Sequence, residues 1–286
     1  MRVLISGSSG LVGSSLMRHL EKDSILRIPK YEVFGFDEHE LDVTKYSGCL
    51  KIICKDIKPD LVIHCAAYTS VDGAEDNIDQ TFIVNGVGTE NIAKCCYHFN
   101  IPMLYFSTDS VFDGTKRTPY LPSDKTNPLS VYAKSKLLGE LAVQKYLNKF
   151  YIIRTIWIYG TSRSNFITQA ITKLKELKNE IVDFPIVEQR ATPTNVDDLC
   201  DAVKDLIETN KWGIYHFTNS GIASRSEVIS FLAQMYNKIP KFSEYKNAKA
   251  IRPKYSIMDL EKIEQVIKKK SPCWKESLER FVREVG

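Results

Sequence analysis

The chain has 286 residues, of which 43% are apolar, and a net charge of +4 from 39 basic and 35 acidic residues. This composition is enough for a sizeable folded core and does not fit a disordered chain. So small an imbalance of charge gives no indication of a nucleic-acid-binding surface.

Neither the cysteines nor the apolar runs suggest a secreted or membrane protein. The seven cysteines are an odd number, contain no C-x-x-C pair and lack metal-ligand spacing, which favours reduced thiols. No run approaches the roughly 18 apolar residues that span a bilayer. We therefore expect a cytoplasmic protein with no metal site, no membrane segment and no nucleic-acid partner.

Short apolar strands alternate with helices over the first 160 residues. Strands that are apolar on both faces are typical of a parallel sheet covered by helices. The predicted strands are 2–6, 32–36, 61–64, 102–107 and 151–155, and the predicted helices are 11–21, 45–57, 79–98 and 131–147. This alternation predicts an α/β protein with a Rossmann-type, doubly wound parallel sheet.

The regular alternation ends after residue 160. We expect helices near 164–178, 196–209, 225–237 and 274–284, and a strand near 213–218. No Gly/Ser-rich linker interrupts the chain, so it should cross more than once between two regions. The predicted dinucleotide-binding domain is 1–160 with 186–218, and the predicted smaller C-terminal α/β substrate-binding region is 161–185 with 219–286.

A glycine-rich turn, Gly7-Ser8-Ser9-Gly10-Leu11-Val12-Gly13, follows the first strand and opens the first helix. Residues without a Cβ let the backbone approach a phosphate closely. The N–H groups and the positive dipole end of the helix attract a diphosphate, and Gly13 allows close helix–strand packing. In this context the motif predicts a dinucleotide-binding site.

The next two strand ends supply further candidate cofactor contacts. The carboxylate of Asp37 is placed to accept hydrogen bonds from the adenosine ribose and to repel a 2′-phosphate, which favours NADH over NADPH. Asp37 could equally cap a turn, so both cofactors stay open. Asp42 is a candidate to contact the adenine end of the cofactor. The small residues Ala66 and Ala67 leave room for a cofactor to lie across the carboxyl ends of the strands.

Tyr132 and Lys136 stand four residues apart in a predicted helix, so they share one helix face. An ordinary surface pair has the same spacing. Thr108 ends the fourth strand, however, and ligands of doubly wound sheets bind at the carboxyl ends of the strands. The three side chains are therefore expected to meet in one cleft.

These three groups suit the reduction of a ketone. Hydride transfer leaves an alkoxide that needs a proton, and a phenol of ordinary pKa, about 10, is a poor proton donor. We expect the ammonium of Lys136 to lower the pKa of Tyr132 and also to bind the nicotinamide ribose. We expect the hydroxyl of Thr108 to polarise the ketone oxygen.

Motifs along nearly the whole chain resemble the extended short-chain dehydrogenase/reductase family, and within it the dTDP-4-dehydrorhamnose reductase branch. They are the glycine turn, "PDLVIHCAAYTSVDGAE" (59–75), "STDSVFDG" (107–114), "NPLSVYAKSKLLGE" (127–140), "RTIWIYG" (154–160) with Asn165-Phe166, "EQRATPT" (188–194), and "RPKYSIMD" (252–259) with Trp274. The resemblance implies reduction of the C4 ketone of dTDP-4-dehydro-L-rhamnose to dTDP-L-rhamnose, a polysaccharide precursor, with NADPH or NADH.

The resemblance also implies roles for individual residues. Thr108, Tyr132 and Lys136 would be catalytic. The cofactor would bind at Gly7, Gly10, Leu11, Val12, Gly13, Asp37, Asp42, Val43, Ala66, Ala67, Tyr68, Phe106, Tyr132 and Lys136. The dTDP-sugar substrate would touch Thr108, Asp109, Ser110, Trp157 and Arg252, with Trp157 covering the sugar ring. Arg252 is a candidate for the substrate diphosphate, or merely a loop residue. A homodimer is also expected.

Three departures from the family pattern bear on the substrate. Ser110 replaces the usual Tyr, the segment 188–194 lacks the Gly before its Pro-Thr pair, and Gly73-Ala74 replaces a Lys-Ala pair. Two alternatives therefore stay open: a reductase of a different nucleotide-4-keto-6-deoxy sugar, and a non-catalytic NAD(P)-binding subunit like the beta subunit of methionine adenosyltransferase. A bifunctional epimerase/reductase would need a further acid/base pair.

Overall fold

The computed structural model describes residues 1–22, 30–177 and 180–285. Its strands are β1 (Arg2–Ser6), β2 (Glu32–Phe36), β3 (Leu61–His64), β4 (Met103–Thr108), β5 (Phe150–Thr155), β6 (Ile158–Tyr159), β7 (Ile181–Ile186), β8 (Arg190–Ala191), β9 (Thr194–Asn195), β10 (Gly213–His216), β11 (Ala223–Ser224) and β12 (Ile239–Glu244). None of the helices within these ranges is long and apolar enough to cross a membrane.

Helices connect most of these strands. They are α1 (Leu11–Lys22), α2 (Tyr46–Cys49, continuing as a π-helical segment Leu50–Ile57), α3 (Val71–Asp76), α4 (Ile78–Phe82, continuing as a π-helical segment Ile83–Gly88), α5 (Thr89–His98), α6 (Val131–Tyr146), α7 (Phe166–Glu176), α8 (Val196–Ile207), α9 (Arg225–Met235), α10 (Glu261–Ile267) and α11 (Trp274–Val285). Residues Asp109–Val111 form a short 3₁₀ turn after β4.

The central sheet has six parallel strands in the order β10-β5-β4-β3-β1-β2. Strand β2 pairs with one side of β1. Strand β3 pairs with the other side of β1, and β4, β5 and β10 follow it outward in that order. The strand order therefore reverses between β1 and β3, and a crevice opens there at the carboxyl ends of the strands. The fold class predicted from the sequence is confirmed.

Two apolar cores cover the two faces of this sheet. On one face, Leu16 of α1, Leu199 of α8 and Ile263 of α10 pack on the strands. On the other face, the packing residues include Ile92 of α5 and Val143 of α6. Burial on both faces explains why β1, β3 and β4 read as continuous apolar runs.

A third core lies in the C-terminal half of the chain. Buried side chains of α7, α9 and α11 meet there, including Ile171, Leu232 and Phe281. Beside them β7 and β12 form a separate two-stranded parallel sheet. Helix α10 belongs instead to the core of the large sheet, through Ile263, although it falls within the segment 219–286 of the predicted smaller region.

A buried ion pair joins the large sheet to α6. The Nε and Nη2 atoms of Arg154 donate to the two carboxylate oxygens of Glu140 at 2.9 and 2.7 Å. Both side chains are almost fully buried, at 3% and 0% exposed. The remaining Nη1 of Arg154 donates to the carbonyl of Pro122 at 3.1 Å. This pair therefore ties together β5, α6 and the loop that follows β4.

Candidate active site

A cavity of about 1120 Å³ lies at the carboxyl ends of the sheet strands. One end is formed by the glycine turn after β1, and the other by residues of β4, α6 and the C-terminal half. Of the predicted residues, those that line it are Gly7, Gly10, Leu11, Val12, Gly13, Asp42, Val43, Ala66, Ala67, Thr108, Asp109, Ser110, Tyr132, Trp157 and Arg252. Asp37, Tyr68, Phe106 and Lys136 do not line it.

The glycine turn is closely packed and has the shape of a phosphate cradle. Gly7 has φ +69°, and a Cβ added there would lie 2.6 Å from the backbone nitrogen of Ala66. A Cβ on Gly13 would lie 2.2 Å from the carbonyl oxygen of Gly7. The first turn of α1, which follows, contains no acidic residue to repel an anion. These features fit the diphosphate of a dinucleotide.

Substitution Gly13→Ala is expected to lower the free energy of unfolding by about 1–3 kcal/mol and to weaken cofactor binding, because α1 must move away from the turn. Gly48→Ala is the matched control, since a Cβ at this helical glycine would meet nothing within 4 Å. Urea unfolding and cofactor titration measure the two effects. Equal behaviour of the two variants would contradict this account of the turn.

The two aspartates predicted for the adenosine end already have partners within the protein. The Asp37 carboxylate accepts from the backbone N–H groups of His39 and Glu40 at 2.9 and 3.2 Å, so it caps a turn. Asp42 accepts from the hydroxyl of Thr44 at 2.6 Å and pairs with Lys45 at 3.1 Å. The capping arrangement left open for Asp37 is therefore the one found, and its contact with a ribose stays a prediction.

Asn85 fixes the cofactor-side loop to α6. Its Oδ1 accepts from the backbone N–H of Tyr68 at 2.8 Å, and its Nδ2 donates to the carbonyl of Tyr68 at 3.1 Å and to Ser135 Oγ at 2.9 Å. The Ser135 hydroxyl in turn donates to the carbonyl of Tyr132 at 2.7 Å. Asn85 thus holds the loop through the backbone of Tyr68. These bonds fix the position of the loop relative to the helix that carries Tyr132.

Tyr132, Thr108 and Asp109 meet at the other end of the cavity. The side chains of Tyr132 and Thr108 both line this end of the cavity, and Thr108 lies near enough to act on the pKa of the phenol. The Thr108 hydroxyl donates to Asp109 Oδ1 at 3.0 Å, and Ser110 Oγ donates to the same oxygen at 3.2 Å. Asp109 Oδ2 is buried without a hydrogen-bond partner in the described residues. This cluster contains the hydroxyl groups that proton transfer to a ketone requires.

The expected acidification of Tyr132 is wrong for this structure. Burial of the phenol and the charge of Asp109 raise its pKa above the ordinary value, and only the nearby Thr108 side chain acts to lower it. Lys136 lies beneath the cavity, with its Nζ 4.2 Å from the ring centre of Tyr105. The four-residue spacing was correctly interpreted as one helix face, but it could not show that Lys136 is buried while Tyr132 is half-buried at the cavity.

The pKa values of Lys136 and Asp109, the two charged groups near Tyr132, are also shifted. Burial lowers the pKa of Lys136 to about 7, against the raising effect of Glu140 and Cys65. Burial raises the pKa of Asp109 to about 6, against the lowering effect of the hydroxyls of Ser256, Thr108 and Ser110. Such shifts in a cleft are typical of functional sites.

Activity is expected to depend on the charge of Lys136 near neutral pH. As the pH rises through about 7, Lys136 loses its proton, so kcat/KM should fall on the alkaline side. Lys136→Met should lower activity and remove this limb, whereas Lys134→Met, an exposed lysine on the same helix, should leave the profile unchanged. A wild-type profile that stays flat through neutral pH would contradict the assignment.

Trp157 and Arg252 lie at the predicted substrate end. Trp157 is partly exposed at the cavity, has φ +45° and packs edge-on against Phe166 with ring centres 5.5 Å apart. Arg252 donates from both Nη atoms to the carboxylate of Asp72, at 3.0 and 2.6 Å. The guanidinium predicted to bind the substrate diphosphate is therefore already paired with a carboxylate.

Several polar residues that line the cavity were missed in the sequence. The clearest are Arg163, whose Nε donates to the carbonyl of Ser9 at 3.2 Å, and Arg225, at the start of α9. Ser107 and Thr155, at the ends of β4 and β5, present buried hydroxyls without partners in the described part of the chain. Their position at strand ends could have identified Ser107 and Thr155 as site residues. No sequence motif around Arg163 or Arg225 indicates that either arginine lines the cavity.

Comparison with known proteins identifies the family. The family model described as "RmlD substrate binding domain" matches residues 1–286. A dTDP-4-dehydrorhamnose reductase of Aggregatibacter actinomycetemcomitans is 33% identical over 98% of this chain and 98% of its own length. A dTDP-4-keto-6-deoxy-D-glucose reductase of Streptomyces niveus is 33% identical over 78% of this chain and 74% of its own length.

The solved structures include a similar reductase with a bound cofactor. The crystal structure of dTDP-4-dehydrorhamnose reductase from Bacillus anthracis in complex with NADP has a TM-score of 0.90, is 33% identical, and is covered over 99% of both chains. The resemblance seen in the sequence motifs is thus confirmed along the whole chain. This chain belongs to the RmlD family, the family of the dTDP-4-dehydrorhamnose reductases that it matches from end to end.

Proposed function

We propose that this protein reduces the C4 ketone of dTDP-4-dehydro-L-rhamnose to dTDP-L-rhamnose, with NADPH or NADH, in the cytoplasm. The observation that carries the proposal is one continuous cavity with a phosphate cradle at Gly7–Gly13 and the Tyr132–Thr108–Asp109 cluster at its other end. This is the arrangement needed to hold a dinucleotide with its reactive ring beside a proton donor. The product would serve as a precursor for polysaccharide synthesis.

The chemistry divides between cofactor and protein. A bound nicotinamide cofactor supplies the hydride that adds to C4 of the sugar. Tyr132 is protonated at neutral pH, as a phenol of ordinary pKa already is, and it donates that proton to the C4 oxygen as negative charge develops there. Lys136 is not among the charges that act on the pKa of Tyr132 in this structure, so its proposed role is to bind the nicotinamide ribose.

Thr108 and Asp109 act on the sugar side of the reaction. The Thr108 hydroxyl has one proton, which points to Asp109 Oδ1 at 3.0 Å. Polarisation of the ketone by Thr108 therefore requires this hydroxyl to turn towards the ketone oxygen. Asp109 Oδ2 is buried and has no partner in the described residues, so it can accept a hydrogen bond from a sugar hydroxyl only if the carboxylate turns towards the cavity, where Trp157 covers the ring.

The cofactor and the substrate are expected to bind mainly to different regions of the chain. We propose that residues 1–160 with 186–218 hold the cofactor and also contribute Thr108, Asp109 and Trp157 to the sugar side. We propose that 161–185 with 219–286 complete the sugar-nucleotide site, apart from Arg163 beside the glycine turn. The packing of α7, α9 and α11 into their own core supports this division. A homodimer stays a prediction, for which analytical ultracentrifugation is the test.

A steady-state assay tests the function. Purified protein is offered dTDP-4-dehydro-L-rhamnose and its 4-keto-6-deoxyhexose isomers, each with NADPH and with NADH. Preferential turnover of dTDP-4-dehydro-L-rhamnose supports the proposal. Preference for an isomer favours a reductase of another sugar, and cofactor binding without turnover favours a non-catalytic subunit. Exchange of the C3 or C5 protons with solvent would indicate an epimerase/reductase.

A further inference from the structure

Three arginines line the cavity in the described part of the chain, and two of them have partners. Arg252 is held by both oxygens of Asp72 at 3.0 and 2.6 Å. Arg163 donates to the carbonyl of Ser9 at 3.2 Å, beside the glycine turn. A bound anion at the substrate end therefore has to compete for Arg252, and Arg163 belongs to the cofactor end.

Arg225, the third, is held by aromatic rings and not by an acid. Its guanidinium carbon lies 5.2 Å from the ring centre of Trp157 and 5.1 Å from that of Phe166. Its Nε is buried without a hydrogen-bond partner, and within the described ranges the guanidinium forms no salt bridge. A partly desolvated cation of this kind gains more from binding an anion than an exposed one does.

Arg225 remains charged in this environment. Burial, followed by the charge of Arg252, lowers its pKa to about 10, while Glu188, Asp109 and Asp72 act to raise it. A group with this pKa is protonated at neutral pH. The guanidinium therefore keeps the fixed fork of N–H donors that matches phosphate oxygens.

The backbone around Arg225 is well anchored. Arg225 is the first residue of α9, and Ser224 and Glu227 close a capping box around it, with the Ser224 N–H donating to Glu227 at 2.6 Å and the Glu227 N–H donating to Ser224 at 3.1 Å. On the other side, the carbonyl of Trp157 accepts from the N–H of Thr194 at 3.1 Å. Arg225 is thus fixed over the ring predicted to cover the sugar.

We propose that Arg225 binds a phosphate oxygen of the diphosphate in the nucleoside-diphosphate-sugar substrate. This inference rests on the proposed function, and it assigns the anion contact to Arg225 and not to the Asp72-paired Arg252. In a nucleotide sugar the diphosphate adjoins the sugar directly. Arg225 lines the same cavity as Trp157 and lies 5.2 Å from its ring centre, so a sugar bound against Trp157 brings its diphosphate within reach of the guanidinium.

The test compares ligands with and without the diphosphate. Calorimetry measures binding of dTDP and of thymidine to wild-type protein, Arg225→Gln, Arg225→Lys and Arg190→Gln. Arg190 is exposed and does not line the cavity, so it serves as the charge-matched control. For Arg225→Gln we expect Kd for dTDP to rise about 10- to 100-fold, the usual worth of a charged hydrogen bond. Thymidine and NADPH should bind as before, and Arg225→Lys should lose less.

The outcomes separate this inference from the proposed function. Unchanged dTDP binding in Arg225→Gln, equal weakening of dTDP and thymidine, or weakening of NADPH in place of dTDP would each overturn the role of Arg225. So would a wild-type protein that does not bind dTDP. A wild-type protein that binds dTDP through Arg225 but reduces no 4-keto sugar would support the inference and contradict the proposed reaction.

Discussion

Tyr132→Phe is expected to lower kcat by at least about 100-fold, the low end of what a positioned acid contributes. The substitution keeps the ring and removes only the hydroxyl, at the end of the cavity that Thr108 and Asp109 also line. No other phenol lines the cavity among the described residues, and the aliphatic hydroxyls there are much weaker acids than a phenol, so protonation of the alkoxide should slow. Binding of NADPH should be unchanged, because the ring still fills its place beside the cofactor.

Tyr146→Phe provides the matched control. Tyr146 lies on the same helix, and its hydroxyl donates to Glu90 at 2.8 Å on the outer side of α6. Its loss should leave kcat unchanged and cost little stability. Single-turnover measurements with both variants separate chemistry from product release. If Tyr132→Phe retained wild-type single-turnover rates, the proton would have to come from another group.

Glu140→Gln is expected to lower the free energy of unfolding by about 3–5 kcal/mol, the usual cost of breaking a buried pair. Glu140 is fully buried, and its two oxygens satisfy Nε and Nη2 of Arg154. An amide leaves that guanidinium as an unbalanced buried charge. Because the pair joins β5 to α6, the position of Tyr132 should also become less fixed.

Glu90→Gln is the control for a mere loss of charge. Glu90 pairs with Lys94 at 3.1 Å on the surface, with side chains 31% and 35% exposed, so its loss should cost no more than about 1 kcal/mol. The double variant Glu140→Leu/Arg154→Met removes both buried charges and should recover much of the stability lost by Glu140→Gln. Urea unfolding compares all three. Equal effects of Glu140→Gln and Glu90→Gln would contradict the role given to the buried pair.

The large sheet was predictable because its strands are buried on both faces. Runs such as Leu61–His64 and Phe150–Thr155 contain enough apolar residues to be recognised as strands without knowledge of the strands that pair with them. The pair β7 and β12 was not predicted, because each strand contains a proline and β12 is exposed over most of its length. Their pairing joins segments more than 50 residues apart, which no local pattern reveals.

The candidate site was predictable where a motif carries the chemistry. The glycine turn, Thr108 and Tyr132 stand next to recognisable strands and helices, and the structure brings them into one cavity. The electrostatics were not predictable, because burial sets the pKa of Tyr132 and Lys136. Nor was the pairing of Arg252 with Asp72, since these residues are separated by 180 positions.

The most direct test of the reaction is the position of isotope in the product. The protein is incubated with dTDP-4-dehydro-L-rhamnose and NADPH that carries deuterium at the transferable position, and the sugar is analysed by NMR. The account predicts dTDP-L-rhamnose with one deuterium at C4 and none elsewhere, formed far more slowly by Tyr132→Phe. Recovery of the unreduced ketone, or deuterium at any other carbon, would contradict it.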